Sequence, residues 1–68
     1  MKKTILTTRE REVFDLLIKN KVTSEIASDL GISEKTVRNH ISNAMQKLGV
    51  KGRASAVVEL LRLGEIVL

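Results

Sequence analysis

The sequence contains no cysteine, proline, tryptophan or tyrosine. The absence of cysteine excludes a disulfide framework, a thiolate metal site and a cysteine nucleophile. No apolar run approaches the roughly 20 residues of a membrane span, and the opening MKKTIL lacks the apolar stretch of a signal peptide. We therefore expect a cytoplasmic chain with no membrane partner. At 68 residues it is one small domain that buries too little apolar surface to be more than marginally stable alone.

Residue combinations that carry catalysis are also scarce. His40 is the only histidine, and no acid lies three or four residues from it. Glu10, Glu12 and Asp15 look like the solvated face of a helix, and no glycine-rich phosphate loop or metal-ligand cluster occurs. We therefore expect no enzyme activity, no metal, no cofactor and no small-molecule ligand.

Aromatic residues are limited to Phe14, whose helical spacing places it in the core. Proteins that bind single strands or RNA usually stack bases on exposed aromatic side chains, and only His40 could do so here. Among nucleic acids, the composition therefore favours duplex DNA.

The net charge of +4 is concentrated in the second half of the chain. Residues 1–34 carry six cations and six anions, whereas residues 35–53 carry five cations and no acid. An acid-free stretch of this kind favours a polyanionic partner. A basic surface without any partner would have the same composition.

Hydrophobic periodicity predicts an all-α fold of four helices. They span about residues 8–19, 24–30, 34–48 and 53–63. Residues 1–5 form a short basic lead that we expect to be poorly ordered, and residues 6–68 form the single domain.

Capping residues mark the ends of these helices. Thr7 followed by Glu10 is a capping box, and Thr23 and Ser33 are candidate N-caps of the second and third helices. Gly31 stands where the second helix must stop, so the turn between these helices is only three residues long.

The second and third helices form a helix-turn-helix pattern, in which the longer second member enters the DNA major groove. One stripe of the third helix is apolar and comprises Val37, Ile41, Ala44, Met45 and Leu48. The opposite stripe comprises Lys35, Arg38, Asn39, Ser42 and Gln46. Cations, amides and a hydroxyl suit base edges and phosphates. The plainer alternative is an αα-hairpin whose polar face is only solvated.

The apolar stripe of the fourth helix is wider than one buried face requires. It comprises Ala54, Ala56, Val57, Val58, Leu60, Leu61 and Leu63. This helix either folds onto the first helix as core or pairs with its copy in a second molecule. Because two recognition helices must lie about one DNA turn apart to read a two-fold site, a dimer helix outside the helix-turn-helix is the economical arrangement.

Three segments together resemble the LuxR-type, or GerE-type, DNA-binding domain. They are LTTREREVF at 6–14, TSEIASDLGISEKTVRNHI at 23–41 and MQKLGVKGRASAVV at 45–58. The similarity covers residues 6–64 and departs from the family pattern only mildly, as at Thr8, where a proline is common. It implies four helices, with the second and third as the helix-turn-helix and the fourth as the usual dimer interface.

The resemblance also implies a function and assigns roles by position. Family members bind promoters as homodimers, and activators contact RNA polymerase. The stand-alone members that this chain resembles regulate late sporulation genes, including spore coat genes, in the mother cell. Arg38, Asn39 and Ser42 match base-facing positions, although serine is shorter than the lysine or arginine often found there. A second set of residues matches positions that contact phosphates or lie at the helix ends near them: Thr23, Ser33, Lys35, Thr36, His40, Asn43, Lys47 and Arg53. The dimer interface corresponds to Ala54, Val57, Val58 and Leu61.

Two functions of other classes remain open at this point. A helical module could bind an acidic protein partner through the stretch 35–53 and never bind DNA. A small enzyme or cofactor protein is disfavoured by the missing catalytic combinations. Sequence-dependent duplex binding would separate the first alternative from a DNA-binding regulator, and turnover by the purified protein would be needed to revive the second.

Overall fold

The computed structural model describes residues 5–68, and this part of the chain contains four α-helices and no strand. The helices are α1 (Thr8–Leu17), α2 (Thr23–Leu30), α3 (Glu34–Leu48) and α4 (Arg53–Arg62). The predicted all-α, four-helix fold is therefore confirmed. Residues 1–4 of the predicted basic lead lie outside the described residues, so the boundary between lead and domain stays a prediction.

Side chains at the N-termini fix where the helices begin. Glu10 and Thr7 form the predicted capping box: the Thr7 hydroxyl accepts from the Glu10 N–H at 3.1 Å, and Glu10 Oε1 accepts from the Thr7 N–H at 2.9 Å. In α2 the N-cap is Val22, so the prediction of Thr23 as the cap was wrong. The reason is that the Glu25 carboxylate accepts the Val22 N–H at 3.0 Å, which draws one more residue into the helix.

The helices end with a shared arrangement in which one residue adopts the left-handed conformation. In α1 this residue is Asn20 (φ 66°), whose N–H donates to the Leu17 carbonyl at 3.0 Å, while the Lys21 N–H donates to the Leu16 carbonyl at 3.2 Å. This pair of bonds is the Schellman motif, and it satisfies carbonyls that the helix leaves unpaired. It also ends α1 at Leu17, because the chain turns before Asn20. The prediction that this helix extends to residue 19 was therefore wrong. The same motif uses glycine after α2, α3 and α4.

α3 is the central element, because it packs against each of the other three helices. Its predicted inward stripe is confirmed for Val37, Ile41 and Ala44, which are buried, while Met45 and Leu48 are partly buried against the core. The other buried apolar side chains are Leu6, Val13, Phe14, Ile26, Ala27, Ala56, Leu60 and Ile66. A helix packed on three sides has one direction left for solvent, and its polar stripe faces that way.

The two ends of the described chain are tied together beside α1. Glu65 accepts from the Ile5 N–H at 3.3 Å and pairs with the Arg11 guanidinium at 3.3 Å. Leu6 and Ile66 are both buried in the same core. The residues after α4 therefore help to hold α1 in place.

Candidate nucleic-acid interface

The exposed face of α3 is a continuous polar stripe. Its members, all solvent-exposed, are Lys35, Arg38, Asn39, Ser42 and Gln46. The 15 residues of α3 give a rod about 22 Å long, and such a helix fits a major groove about 12 Å wide. The structure therefore brings the three predicted base-facing residues together on one accessible surface.

The start of α3 is well fixed. Ser33 caps the helix by accepting the Thr36 N–H at 3.1 Å, and the two hydroxyl oxygens lie 2.9 Å apart. Gly31 takes the left-handed conformation (φ 67°) that the three-residue turn requires. Ser33 and Thr36 stand at the N-terminus of α3, the positive end of the helix dipole, where anions are favoured. Ser33 is exposed and Thr36 is half-buried.

Cations near this face differ in whether they have a partner. Within residues 5–68, no ion pair is formed by Lys35, Lys51 or Arg53. The three are also exposed, so they can bind phosphate without first breaking a contact. Arg38 lies 3.8 Å from the Glu34 carboxylate, and both side chains are more than half exposed.

Lys47 has a different environment from the other cations. Its ammonium lies 2.7 Å from Glu10 Oε1 and 3.5 Å from the carbonyl oxygen of Ile5. Glu10 is only 3% exposed, so its interpretation as part of a solvated face was wrong. Burial raises the pKa of Glu10, but the hydrogen bonds from Lys47 and Thr7 and the charge of Lys47 lower it by more, so the pKa lies below its ordinary value. The predicted phosphate contact of Lys47 stays a prediction.

The remaining predicted contact residues lie at varied depths. Asn43 is exposed on α3, and His40 is half-buried on the same helix. Thr23 is the first residue of α2 and is half-buried. The DNA contacts of these three residues stay predictions.

The predicted dimer residues of α4 differ in how exposed they are. Ala56 and Leu60 point into the core, whereas Val58 is 64% exposed and Ala54 is also exposed. Val57 and Leu61 are partly buried against the core and partly open to solvent. The surplus apolar stripe predicted for this helix is therefore present, with one edge uncovered in the single chain.

Candidate sites of other kinds, such as a ligand pocket or a metal centre, are not found in the described part of the chain. Residues 5–68 contain no pocket and no cluster of metal-binding side chains. None of their helices has the length and apolar character needed to cross a bilayer.

A four-helix domain with a central, N-capped recognition helix and a polar outer stripe is the arrangement of a helix-turn-helix DNA-binding domain. The family model "Bacterial regulatory proteins, luxR family" matches residues 4–60, and the chain belongs to this family. It is a DNA-binding transcription regulator, which confirms the family predicted from its motifs.

One member that the chain resembles over nearly its whole length is GerE. The chain is 77% identical over 64 residues to the spore germination protein GerE of Bacillus subtilis (strain 168), covering 94% of this chain and 86% of that protein. A solved structure of the transcription factor GerE superposes with a TM-score of 0.92 and 60% sequence identity, covering 96% of this chain and 97% of that one. The transcriptional regulatory protein DegU of Brevibacillus brevis is 48% identical over 60 residues, which are 88% of this chain and 25% of DegU.

Proposed function

We propose that the protein is a homodimeric regulator that reads promoter DNA by placing α3 of each subunit in successive major grooves. The observation that carries this proposal is the stripe of exposed polar side chains on a helix whose other faces are packed. Arg38 pairs with a guanine, and Asn39 contacts an adenine or a neighbouring phosphate. Ser42 has the shortest side chain of the three and contributes least.

Phosphate contacts position α3 in the groove. The exposed cations Lys35 and Arg53 and the N-terminus of α3 at Ser33 and Thr36 support this role. The other residues proposed to contact phosphate or support nearby helix ends are Thr23, His40, Asn43 and Lys47. Such contacts fix orientation and carry no sequence information directly.

Dimerisation through α4 would give the spacing that a two-fold DNA site requires. The uncovered edge formed by Ala54, Val57, Val58 and Leu61 supports this interface. A second copy is the economical occupant, since its α4 would present the same apolar edge.

The similarity to GerE supports a proposal for the biological role. That protein is described as a spore germination protein and a transcription factor. We propose that this chain likewise acts in the cytoplasm of the mother cell, on the nucleoid, where it activates or represses late sporulation genes, including spore coat genes. RNA polymerase holoenzyme is its proposed partner at activated promoters.

The proposal is tested by duplex binding at several salt concentrations, with labelled DNA because the protein has no tryptophan or tyrosine. Affinity should fall steeply with salt on every duplex, and a selected site should bind about 10³-fold tighter than random DNA. Equal, weak binding to all duplexes would contradict the proposal and favour an acidic protein partner.

Arg38→Ala then tests the assignment of the base contact. It should weaken specific binding by about 1–3 kcal/mol and relax the preference at one base pair only. Arg9→Ala is the matched control, because Arg9 is a partly exposed arginine on α1, outside the proposed dimer edge, that pairs with Glu12 at 3.3 Å. If Arg38→Ala weakens binding uniformly on all sequences, Arg38 is a phosphate contact and the base assignment is wrong.

A further inference from the structure

Glu34 is the only acid in α3, and it stands at the first position of that helix. A carboxylate beside a surface that meets phosphates weakens DNA binding, so its presence there needs a reason. Its Oε1 lies 3.8 Å from the Arg38 guanidinium one turn along the helix. The side chain proposed to read a base is therefore already paired in the absence of DNA.

In the two preceding helices, the acid in the first turn caps the helix N-terminus. Glu10 in α1 and Glu25 in α2 each accept a backbone N–H of their own N-terminus, at 2.9 and 3.0 Å. In α3 the cap is supplied by Ser33, and no hydrogen bond to the Glu34 carboxylate is formed within residues 5–68. Apart from its favourable place at the helix dipole, the described contact of the Glu34 carboxylate is the one with Arg38.

We propose that Glu34 is a positioning residue for Arg38 and thereby raises the sequence specificity of α3. This inference rests on the proposed function, in which Arg38 reads a base. An exposed arginine otherwise samples many rotamers and binds any nearby phosphate. Pairing with Glu34 restricts the guanidinium to the outer face of α3, and the carboxylate repels phosphates that approach it.

The pairing leaves Arg38 able to recognise a base. A guanidinium has five N–H donors, so those that do not face Glu34 can reach the two acceptors of a guanine. Because the pair is exposed, it is weak enough to rearrange on binding. Glu34 therefore reduces non-specific affinity more than specific affinity.

The test compares Glu34→Gln with wild type on random and selected duplexes, with base preferences obtained by selection from a random-sequence duplex pool. Glu34→Gln should bind random DNA roughly two- to fivefold tighter, the size of an exposed charge interaction, and lose preference at the base pair that Arg38 reads. Glu12→Gln is the matched control: Glu12 is a half-exposed acid on α1 that pairs with Arg9 at 3.3 Å, so the change in net charge is the same. Melting curves should show both variants folded at the binding temperature.

The Arg38→Ala background shows whether Glu34 acts through Arg38. There, Glu34→Gln should no longer change any base preference, although its effect on random DNA remains. A change in preference that persists in this background would overturn the proposal and make Glu34 a direct base contact. Equal behaviour of Glu34→Gln and Glu12→Gln would overturn it as well. If wild type itself selects no sequence, the proposed function fails first, and the role of Glu34 falls with it.

Discussion

Replacing Glu10 with glutamine tests whether the buried ion pair with Lys47 holds α1 against α3. The Glu10 side chain is 4% exposed and accepts from both the Lys47 ammonium at 2.7 Å and the Thr7 N–H at 2.9 Å. Glutamine keeps the size of the side chain and one carbonyl oxygen, so the cap at Thr7 can persist. What it removes is the charge that faces Lys47.

The expected loss of stability follows from the surroundings of the pair. A hydrogen bond to a charged group contributes about 1.5–3 kcal/mol, whereas removing one partner of a fully buried pair costs about 3–5 kcal/mol. Lys47 is 37% exposed, so its ammonium can turn to water after the substitution, and the lower range applies. We expect Glu10→Gln to cost about 2 kcal/mol and to lower the melting temperature by roughly 8–16 °C.

The pH dependence of stability gives a second readout with a definite sign. The pKa of Glu10 is lowered in the folded protein, so its stabilisation is complete above the pKa of the unfolded carboxyl, about 4.3. It is lost as the pH falls through the lower folded pKa. Urea unfolding followed by circular dichroism should therefore show a large difference between wild type and Glu10→Gln at pH 7, and a difference that shrinks in acid. Equal stability at pH 7, or a difference independent of pH, would refute the reasoning.

Lys47→Met completes the cycle and decides between two roles for Lys47. It should destabilise the wild-type protein but have much less effect in the Glu10→Gln background, since the two residues share one interaction. If Lys47 also leaves Glu10 to bind phosphate, Lys47→Met will reduce the salt dependence of DNA binding by about one unit of slope. An unchanged slope would remove Lys47 from the phosphate contacts.

Two further predictions concern the helix ends and the outer side of α4. Asn20 and Gly31 both adopt the left-handed conformation, so Asn20→Gly should raise the free energy of unfolding by several tenths of a kcal/mol to about 1 kcal/mol, and Gly31→Ala should lower it by about 1–2 kcal/mol. A Cβ at Gly31 meets no atom within 4 Å, so urea unfolding of Gly31→Ala would report backbone strain without a clash. Val58→Glu should shift the protein from dimer to monomer in sedimentation equilibrium. Val22→Glu should not, although Val22 is 59% exposed and Val58 is 64% exposed. Dissociation of the dimer by both substitutions would argue against α4 as the interface.

The sequence predicts the fold well because its local signals agree with one another. Glycine after the apolar pattern, a serine before it and the absence of proline place α3 at the residues where the structure has it. The errors lie where two local signals compete. Helix α1 ends two residues early because Asn20 serves as the left-handed residue, a role that glycine fills in the other three helices. The start of α2 is shifted because Glu25 reaches back to Val22.

The candidate site is less predictable, because ion pairs join residues that are far apart in the chain. Nothing in the local sequence of Lys47 indicates that Glu10, 37 residues away, lies beside it. The capping box was a partial signal, because it fixes the Glu10 carboxylate at the start of α1, but it does not reveal which element packs over it. The pairing of Glu34 with Arg38 could have been found, since acid and base stand four residues apart on a helix.

These pairings change what the acid-free stretch 35–53 means. Its five cations suggest one uniform basic surface, but acids outside the stretch pair with two of them: Glu10 with Lys47, and Glu34 with Arg38. Lys35, Lys51 and Arg53 form no ion pair within residues 5–68 and can supply sequence-independent attraction without first breaking one. Under the proposed function, Arg38 would rearrange or share its donors on binding, so we expect its contact to be most favourable where a base supplies matched acceptors. We therefore propose that affinity and specificity depend on different cations, and that the division follows from where the fold places its acids.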